Sequence, residues 1–232
     1  MMGHGHAVMG AAAWVTLTSS SLAGLGHLPG EQVIVGSVVT AGAALLPDAD
    51  HHSATISRSL PPVSGWMARG IAGIAGGHRQ GTHSLIGLAA FALLALVLTN
   101  VRAPVMGTDF QVGAWLLTVL LVAFAAKALR LTRGWLSCWI LATAAASTLI
   151  WFAPTAAWWL PLSIGVGVAI HILGDLLTDQ GVALLWPWSN ERIALPLLGT
   201  AGSVREWLLV GCLYVYLIWV GLGSYLEQVW LV

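Results

Sequence analysis

Charge is what this sequence most lacks. Of its 232 residues only 8% are Asp, Glu, Lys or Arg, nine acidic against nine basic, where a soluble domain carries about 25%. So few charges cannot cover an ordinary solvated surface. A bilayer, in which one charge at mid-depth costs roughly 2.5–3.5 kcal/mol, selects for their removal. Net charge is zero and no basic stripe is present, which leaves no footing for nucleic acid. Cysteine is nearly missing too. Cys138 and Cys212 both lie in apolar stretches, which argues against a disulfide framework and against a thiolate zinc site. No basic region precedes the first apolar segment, so that segment reads as part of the mature fold and not as a secretory leader. No repeat or low-complexity tract divides the chain, and its length suits one domain.

What remains is 58% hydrophobic. A bilayer core needs about 20 apolar residues in a helix, and runs of that kind predict membrane helices at 7–25, 31–46, 84–100, 112–129, 135–152, 158–178 and 207–226. The expected class is therefore all-α: a polytopic helical membrane protein forming one domain over 1–232. The first two segments are rich in Gly, Ala, Ser and Thr, a composition suited to close helix packing, and could be short or re-entrant. Trp135, Trp151, Trp158, Trp159, Trp207 and Trp230 fall near predicted ends, as in an interfacial aromatic belt. Arg58, Arg69 and Arg79 lie in the connection at 47–83. Lys127, Arg130 and Arg133 lie near 127–134, and Arg192 and Arg205 in the connection at 179–206. With seven spans these connections share one side and only Arg102 lies opposite, so the positive-inside rule puts that side and the N-terminus in the cytoplasm and the C-terminus outside. The Gly- and Pro-containing segment 60–77 is expected to lie partly in the interface without being regular helix throughout. The segment 184–196 reads as similarly surface-bound, with Trp186 and Trp188 at head-group level.

The scarce ionisable residues fall in four clusters, all on the predicted cytoplasmic side: Gly3–His6, then Pro47-Asp48-Ala49-Asp50-His51-His52, then His78-Arg79-Gln80-Gly81-Thr82-His83, then His171-Ile-Leu-Gly-Asp175. Pro47 disfavours helix at Leu46. If the chain is extended after it, Asp48 and Asp50 point to one side. His78 and His83 can share a site only if His78 sits in the loop and His83 in the first helical turn, with Thr82 as a plausible N-cap. His171 and Asp175, one turn apart, can reach a shared cation. Imidazole and carboxylate without thiolate suit zinc first and manganese second. Catalytic zinc keeps a position open to water and lowers its pKa to about 7.

Each cluster also has a plainer explanation: a solvated helix end, loop and capping residues, or a hydrogen-bonded structural pair. His27, predicted on the opposite face, needs nothing more than that. Convergence of the clusters at one membrane depth favours function. The metal ligands are expected among His6, Asp50, His51, His83, His171 and Asp175. Asp48 and His78 are expected as general base or second ligand, and Arg79 as the group that holds an anion such as phosphate. Glu206, in the first turn of the last helix, has a dipole explanation alone.

The ordered set resembles the YdjM-type family of inner-membrane proteins assigned to metal-dependent hydrolysis. The matching residues are Gly5-His6, Leu45-Leu46-Pro47-Asp48-Ala49-Asp50-His51, Gly77-His78-Arg79, Thr82-His83-Ser84, and His171 through Thr178. Gly181, Leu184-Leu185-Trp186-Pro187, Leu195-Pro196 and the segment from Gly202 to Glu206 also match. The resemblance implies a helical membrane hydrolase. It also implies distant similarity to zinc-dependent phospholipase C, and hence a phosphoester substrate, membrane lipid or lipid-linked. Asp179 stands where related sequences often have proline. The competing expectations are a metal-ion or proton-coupled transporter using the same His/Asp cluster, and a scaffold with a structural metal closed by four protein ligands.

Overall fold

A computed structural model of the chain describes residues 1–19, 28–60, 62–105, 107–152 and 158–230, with side chains at all but 150–152 and 224–230. The described residues form eight α-helices: α1 (Gly3–Ser19), α2 (Gly30–Ala43), α3 (Val63–Ile74), α4 (Leu85–Thr99), α5 (Val112–Ala128), α6 (Trp135–Phe152), α7 (Leu160–Leu176) and α8 (Val204–Trp230). The predicted end of the first helix at 20–25, and His27, lie outside the described residues.

The seven predicted apolar segments all contain helix. Two helical segments, Gly30–Asp50 and Val204–Gly223, are long and apolar enough to cross a membrane alone. Leu85–Thr99, Val112–Ala128, Trp135–Leu149 and Leu160–Leu176 are shorter apolar helices. As expected, 60–77 is not helix throughout: only Val63–Ile74 is regular, starting after the helix-breaking prolines 61 and 62 and ending before the glycines 76 and 77. Two features depart from the sequence reading. A two-stranded antiparallel hairpin, Ala103–Val105 with Thr108–Phe110, joins α4 to α5. Asp48 and Asp50 lie in a 3-10 turn, Pro47–Asp50, and not in an extended segment. α2 tightens to i→i−3 bonds at Leu45 and Leu46 before Pro47, which has no N–H to continue the α-ladder.

α2 is the hub, packing against α1, α5 and α7. Its carbonyl at Thr40 is met closely from two sides. A β-carbon on Gly10 of α1 or on Gly167 of α7 would lie 2.7 Å from Thr40 O, so only glycine lets these backbones approach so near. One turn beyond those glycines are His6 on α1 and His171 on α7, and the small-residue layer thereby sets the two imidazoles side by side. The polarity is that of a membrane protein. Leu93, Leu94, Ile140, Leu208, Ile218 and Trp219 are exposed while His6, Arg79, His83, His171 and Asp175 are buried.

Candidate metal centre

Four elements deliver the site. α7 carries His171 and Asp175 on one face in its last two turns. The 3-10 turn after α2 carries Asp48 and Asp50. Gly76 (φ +76°) and Gly77 (φ +110°) turn the chain after α3 and bring His78 to Asp50. The 3-10 turn Gly81–His83 then places His83 immediately before α4. Ser84, and not Thr82, caps that helix, accepting a hydrogen bond from Gly87 N. Thr82 is thereby free for another task.

The hydrogen-bond network assigns the histidine tautomers. His171 Nδ1 is 2.6 Å from the carbonyl oxygen of Ala44, which can only accept, so Nδ1 carries the proton and Nε2 the lone pair. Thr82 Oγ1 lies 2.5 Å from Asp50 Oδ2, to which it must donate. The same hydroxyl oxygen, 2.9 Å from His83 Nδ1, therefore accepts from that nitrogen, and His83 Nε2 is bare as well. These two lone-pair nitrogens face each other at 3.0 Å. His78 follows the same rule: its Nδ1 donates to Asp50 Oδ1 at 2.8 Å, leaving Nε2 available. A carboxylate or carbonyl behind one ring nitrogen is the arrangement that orients metal-binding histidines.

Two carboxylate oxygens complete the group. Asp175 Oδ2 lies 3.6 Å from His83 Nε2 and 3.7 Å from His171 Nε2, and Asp48 Oδ1 lies 3.8 and 3.7 Å from the same atoms. A cation about 2.0–2.1 Å from four tetrahedral donors sets those donors about 3.3 Å apart. The observed separations bracket that value, so the residues fit a small divalent cation. His6, His171 and Asp175, and likewise Asp48, His78 and His83, bring their ligand atoms within 4.8 Å of one another, so each trio could hold a metal ion.

Exposure gives the site a direction. The side chains of His83, His171 and Asp175 are at most 1% exposed, whereas Asp48 is 18% and His78 33% exposed. The open side is therefore at Asp48 and His78. His51 stands at that rim beside His78, ring centroids 4.4 Å apart. Partial burial, followed by the neighbouring His78, pushes His51 below the usual imidazole value.

The structure thus brings His6, Asp48, Asp50, His51, His78, His83, His171 and Asp175 to one place. It distributes them differently from the simplest sequence expectation. Asp50 spends both oxygens on His78 and Thr82, while Asp48 faces the two bare imidazole nitrogens. Arg79 is buried, with Nη2 donating to Asp175 Oδ1 at 2.9 Å and Nη1 to Thr178 Oγ1 at 3.1 Å. Its expected role as an anion holder gives way to holding Asp175, because both terminal nitrogens already have protein partners. Its left-handed backbone, φ +64°, costs a residue with a β-carbon about 1–2 kcal/mol, and the bond from Ala183 N to Arg79 O at 3.1 Å helps keep it there. The amino group of Met1 also contacts Asp175 Oδ1. His6 is fully buried and stacks on His171 at 3.7 Å, its Nε2 3.2 Å from Asp175 Oδ1, yet neither ring nitrogen makes a well-directed hydrogen bond.

His4 and His52 stand apart from these donors. His4 meets Ala128 O and Tyr214 OH; His52 stacks on His51 at the surface. Asp179 is exposed. Sequence reasoning missed Thr82 as the link between Asp50 and His83, and Arg192, which is exposed at the rim with Nη2 3.4 Å from His78 O. It also underread Glu206, buried and accepting from Met2 N and Gly202 N, both at 2.8 Å. The signal was present there: Ser203-Val204-Arg205-Glu206 has the Ser-x-x-Glu pattern of a capping box. Its Ser203 half is formed, Ser203 Oγ accepting from Glu206 N, while the Glu206 carboxylate turns to Gly202 N and Met2 N instead of Ser203 N.

The family model for the YdjM inner membrane protein matches residues 1–129 and 130–231. The chain belongs to this family. The inner membrane protein YdjM of Escherichia coli (strain K12) is 30% identical over 176 residues, 75% of this chain, and that of Shigella flexneri matches equally. The alignment spans 61% of the length of these curated relatives. No solved structure matches. Membership of an inner-membrane family agrees with the apolar exterior, and this family member carries its buried His/Asp group where α2 and α7 end.

Proposed function

We propose that this YdjM-family chain is a multi-pass membrane metallohydrolase that cleaves a phosphoester at the cytoplasmic boundary, its substrate a membrane lipid or lipid-linked compound. The seven apolar helices would cross in the order read from the sequence, with the N-terminus and the site inside and the C-terminus outside. One observation carries the reading: His83 Nε2 and His171 Nε2 point lone pairs at each other across 3.0 Å, each ring having its proton committed on the other side. Two bare imidazole nitrogens repel at that distance unless a metal ion or a shared proton stands between them, and the Asp48 and Asp175 oxygens beside both complete the donor set a metal would use.

Asp48, His83, His171 and Asp175 would hold the cation, zinc first and manganese second. When bound, it would supply acidified water as nucleophile and charge neutralisation for the phosphoester. The chain's own residues supply the rest. Asp50 fixes His78 so that its Nε2 accepts a proton at the open side, and through Thr82 it fixes His83. Arg79 holds the Asp175 carboxylate. Arg192, exposed beside His78, places a guanidinium where an anionic substrate group would enter. A transporter would be expected to place such residues near mid-bilayer on broken helices; here α7 is continuous, and the group sits in its last turns.

The test is metal analysis and phosphodiesterase assay of wild-type protein beside His171→Ala and Asp175→Ala. Wild type should carry metal and hydrolyse a lipid or chromogenic phosphodiester, and both variants should lose metal and activity together. Unchanged metal content in the variants would remove the site. Inactivity of metal-loaded wild type, with metal flux in proteoliposomes, would replace hydrolysis by transport.

A further inference from the structure

Helix α3 is built the wrong way round for water. At 100° per residue, Val63, Trp66, Met67, Gly70 and Ile74 fall within one arc of about 100°. The four with side chains are 45%, 61%, 61% and 83% exposed. The small Ala68, 2% exposed, and the half-buried Ile71 face the protein. A helix on a water-facing surface puts its large apolar residues inward and its polar ones outward. Here the bulk faces outward, and Arg69 flanks the stripe, exposed, where its guanidinium can reach phosphate head groups.

Length and position say what covers the stripe. Twelve residues make a helix of about 18 Å, too short for a hydrocarbon core of about 30 Å. α3 packs on the 3-10 turns at 47–50 and 56–58, just past the end of the apolar segment Gly30–Asp50, so it lies at the depth where that segment leaves the bilayer. The exposed apolar surface continues beyond it. Trp186 Nε1 lies 3.2 Å from where a β-carbon on Gly76 would sit. Trp188 is 81% and Leu197 67% exposed, and the segment carrying them is tied to α4 through Leu85 N to Leu184 O at 3.0 Å. The partly exposed His78 lies on the chain between α3 and α4.

We propose that α3 is an interfacial helix, its outer stripe sunk into the boundary between acyl chains and head groups, and that it holds the open side of the His/Asp site level with the lipid head groups. The placement requires neither a cation nor a reaction, so it can fail while the hydrolase reading survives, and the reverse.

The test uses the full chain in vesicles of phosphatidylethanolamine and phosphatidylglycerol, on a Cys212→Ser background, Cys138 being buried. Nitroxide labels are placed singly by Met67→Cys, Ile74→Cys and, as the aqueous reference, Asp109→Cys, 64% exposed in the hairpin and away from the apolar surface described. Collision with oxygen, which partitions into lipid, is compared with collision with a water-soluble nickel chelate. The oxygen-to-nickel ratio at 67 and 74 should exceed that at 109 by about tenfold, as expected for side chains buried below the head groups. Ratios equal to that at 109 would show a water-exposed helix and overturn the proposal. Shielding from both probes would show a protein partner or a second copy on the stripe and overturn it equally. Unsubstituted protein gives an independent reading: a lipid bearing a photoreactive diazirine should label the peptide containing 63–74, and absence of label there alongside labelling of α4 would also refute it.

Discussion

Thr82 is the sharpest place to probe the tautomer argument, because it neither points into the site nor carries charge. Its hydroxyl donates to Asp50 at 2.5 Å and accepts from His83 Nδ1 at 2.9 Å, and the residue is 6% exposed. Thr82→Val keeps the shape and removes both bonds. His83 Nδ1–H then has only Asp50 Oδ2, 3.6 Å away, as a nearby acceptor, too far for a hydrogen bond without movement. Removing the group that orients a ligating histidine typically costs 10–100-fold in metal affinity, or about 1.4–2.7 kcal/mol. Thr82→Val is therefore expected to weaken zinc binding by about 10–100-fold, measured by competition with a chromogenic chelator in detergent. Thr82→Ser, which retains the hydroxyl, should restore most of it. Unchanged affinity in Thr82→Val, in a protein whose affinity does fall with His171→Ala, would show that the hydroxyl does not set the His83 tautomer.

Other outcomes follow from the same geometry. Metal content should fall as pH is lowered, because protons compete for the bare nitrogens of His83 and His171, and a content that stays constant down to about pH 4 would contradict imidazole ligation. Arg79→Lys should lower metal affinity or activity while leaving the protein folded, since an ammonium cannot span Asp175 and Thr178 together as the guanidinium does; wild-type behaviour would deny Arg79 its positioning role. Gly42→Ala would put a β-carbon 1.9 Å from Leu121 O and should destabilise the α2–α5 contact by about 1–3 kcal/mol in thermal unfolding. Gly73→Ala meets nothing within 4 Å and should stabilise α3 by about 0.5–1 kcal/mol, so equal melting temperatures for these two variants would contradict the packing described. Arg192→Ala should raise KM for an anionic phosphoester with little change in metal content, and an unchanged KM would remove Arg192 from the mouth.

Environment and chemistry are both written in the composition. With 8% charged residues, the chain had to be apolar outside, and its long contiguous apolar runs made it helical, because in a bilayer backbone groups pair only within a helix or around a closed barrel, whose strands alternate apolar and polar residues. The position of each apolar run then followed from hydrophobicity alone. The four His/Asp clusters were legible for the same reason, since ionisable residues are too costly in such a chain to be incidental. Local pattern also held the Ser-x-x-Glu helix-start signature at Ser203–Glu206.

Which atoms face each other emerges from the folded chain alone. Whether Asp48 or Asp50 faces the bare nitrogens of His83 and His171 depends on the rotation of the 3-10 turn Pro47–Asp50, and an extended reading of the same four residues could not distinguish them. Thr82 and Ser84 are both good caps by composition, and the choice between them was made by Asp50, thirty-two residues away in sequence. Arg79 turns inward because the chain reversal at Gly76 and Gly77 sets it beside the buried Asp175 carboxylate, with which its guanidinium pairs, while Arg192, unremarkable in sequence, was left at the rim. These are contacts between residues 28 to 127 positions apart. Periodicity and spacing act over a few residues, so they can name the participants of such a site but not assign their parts.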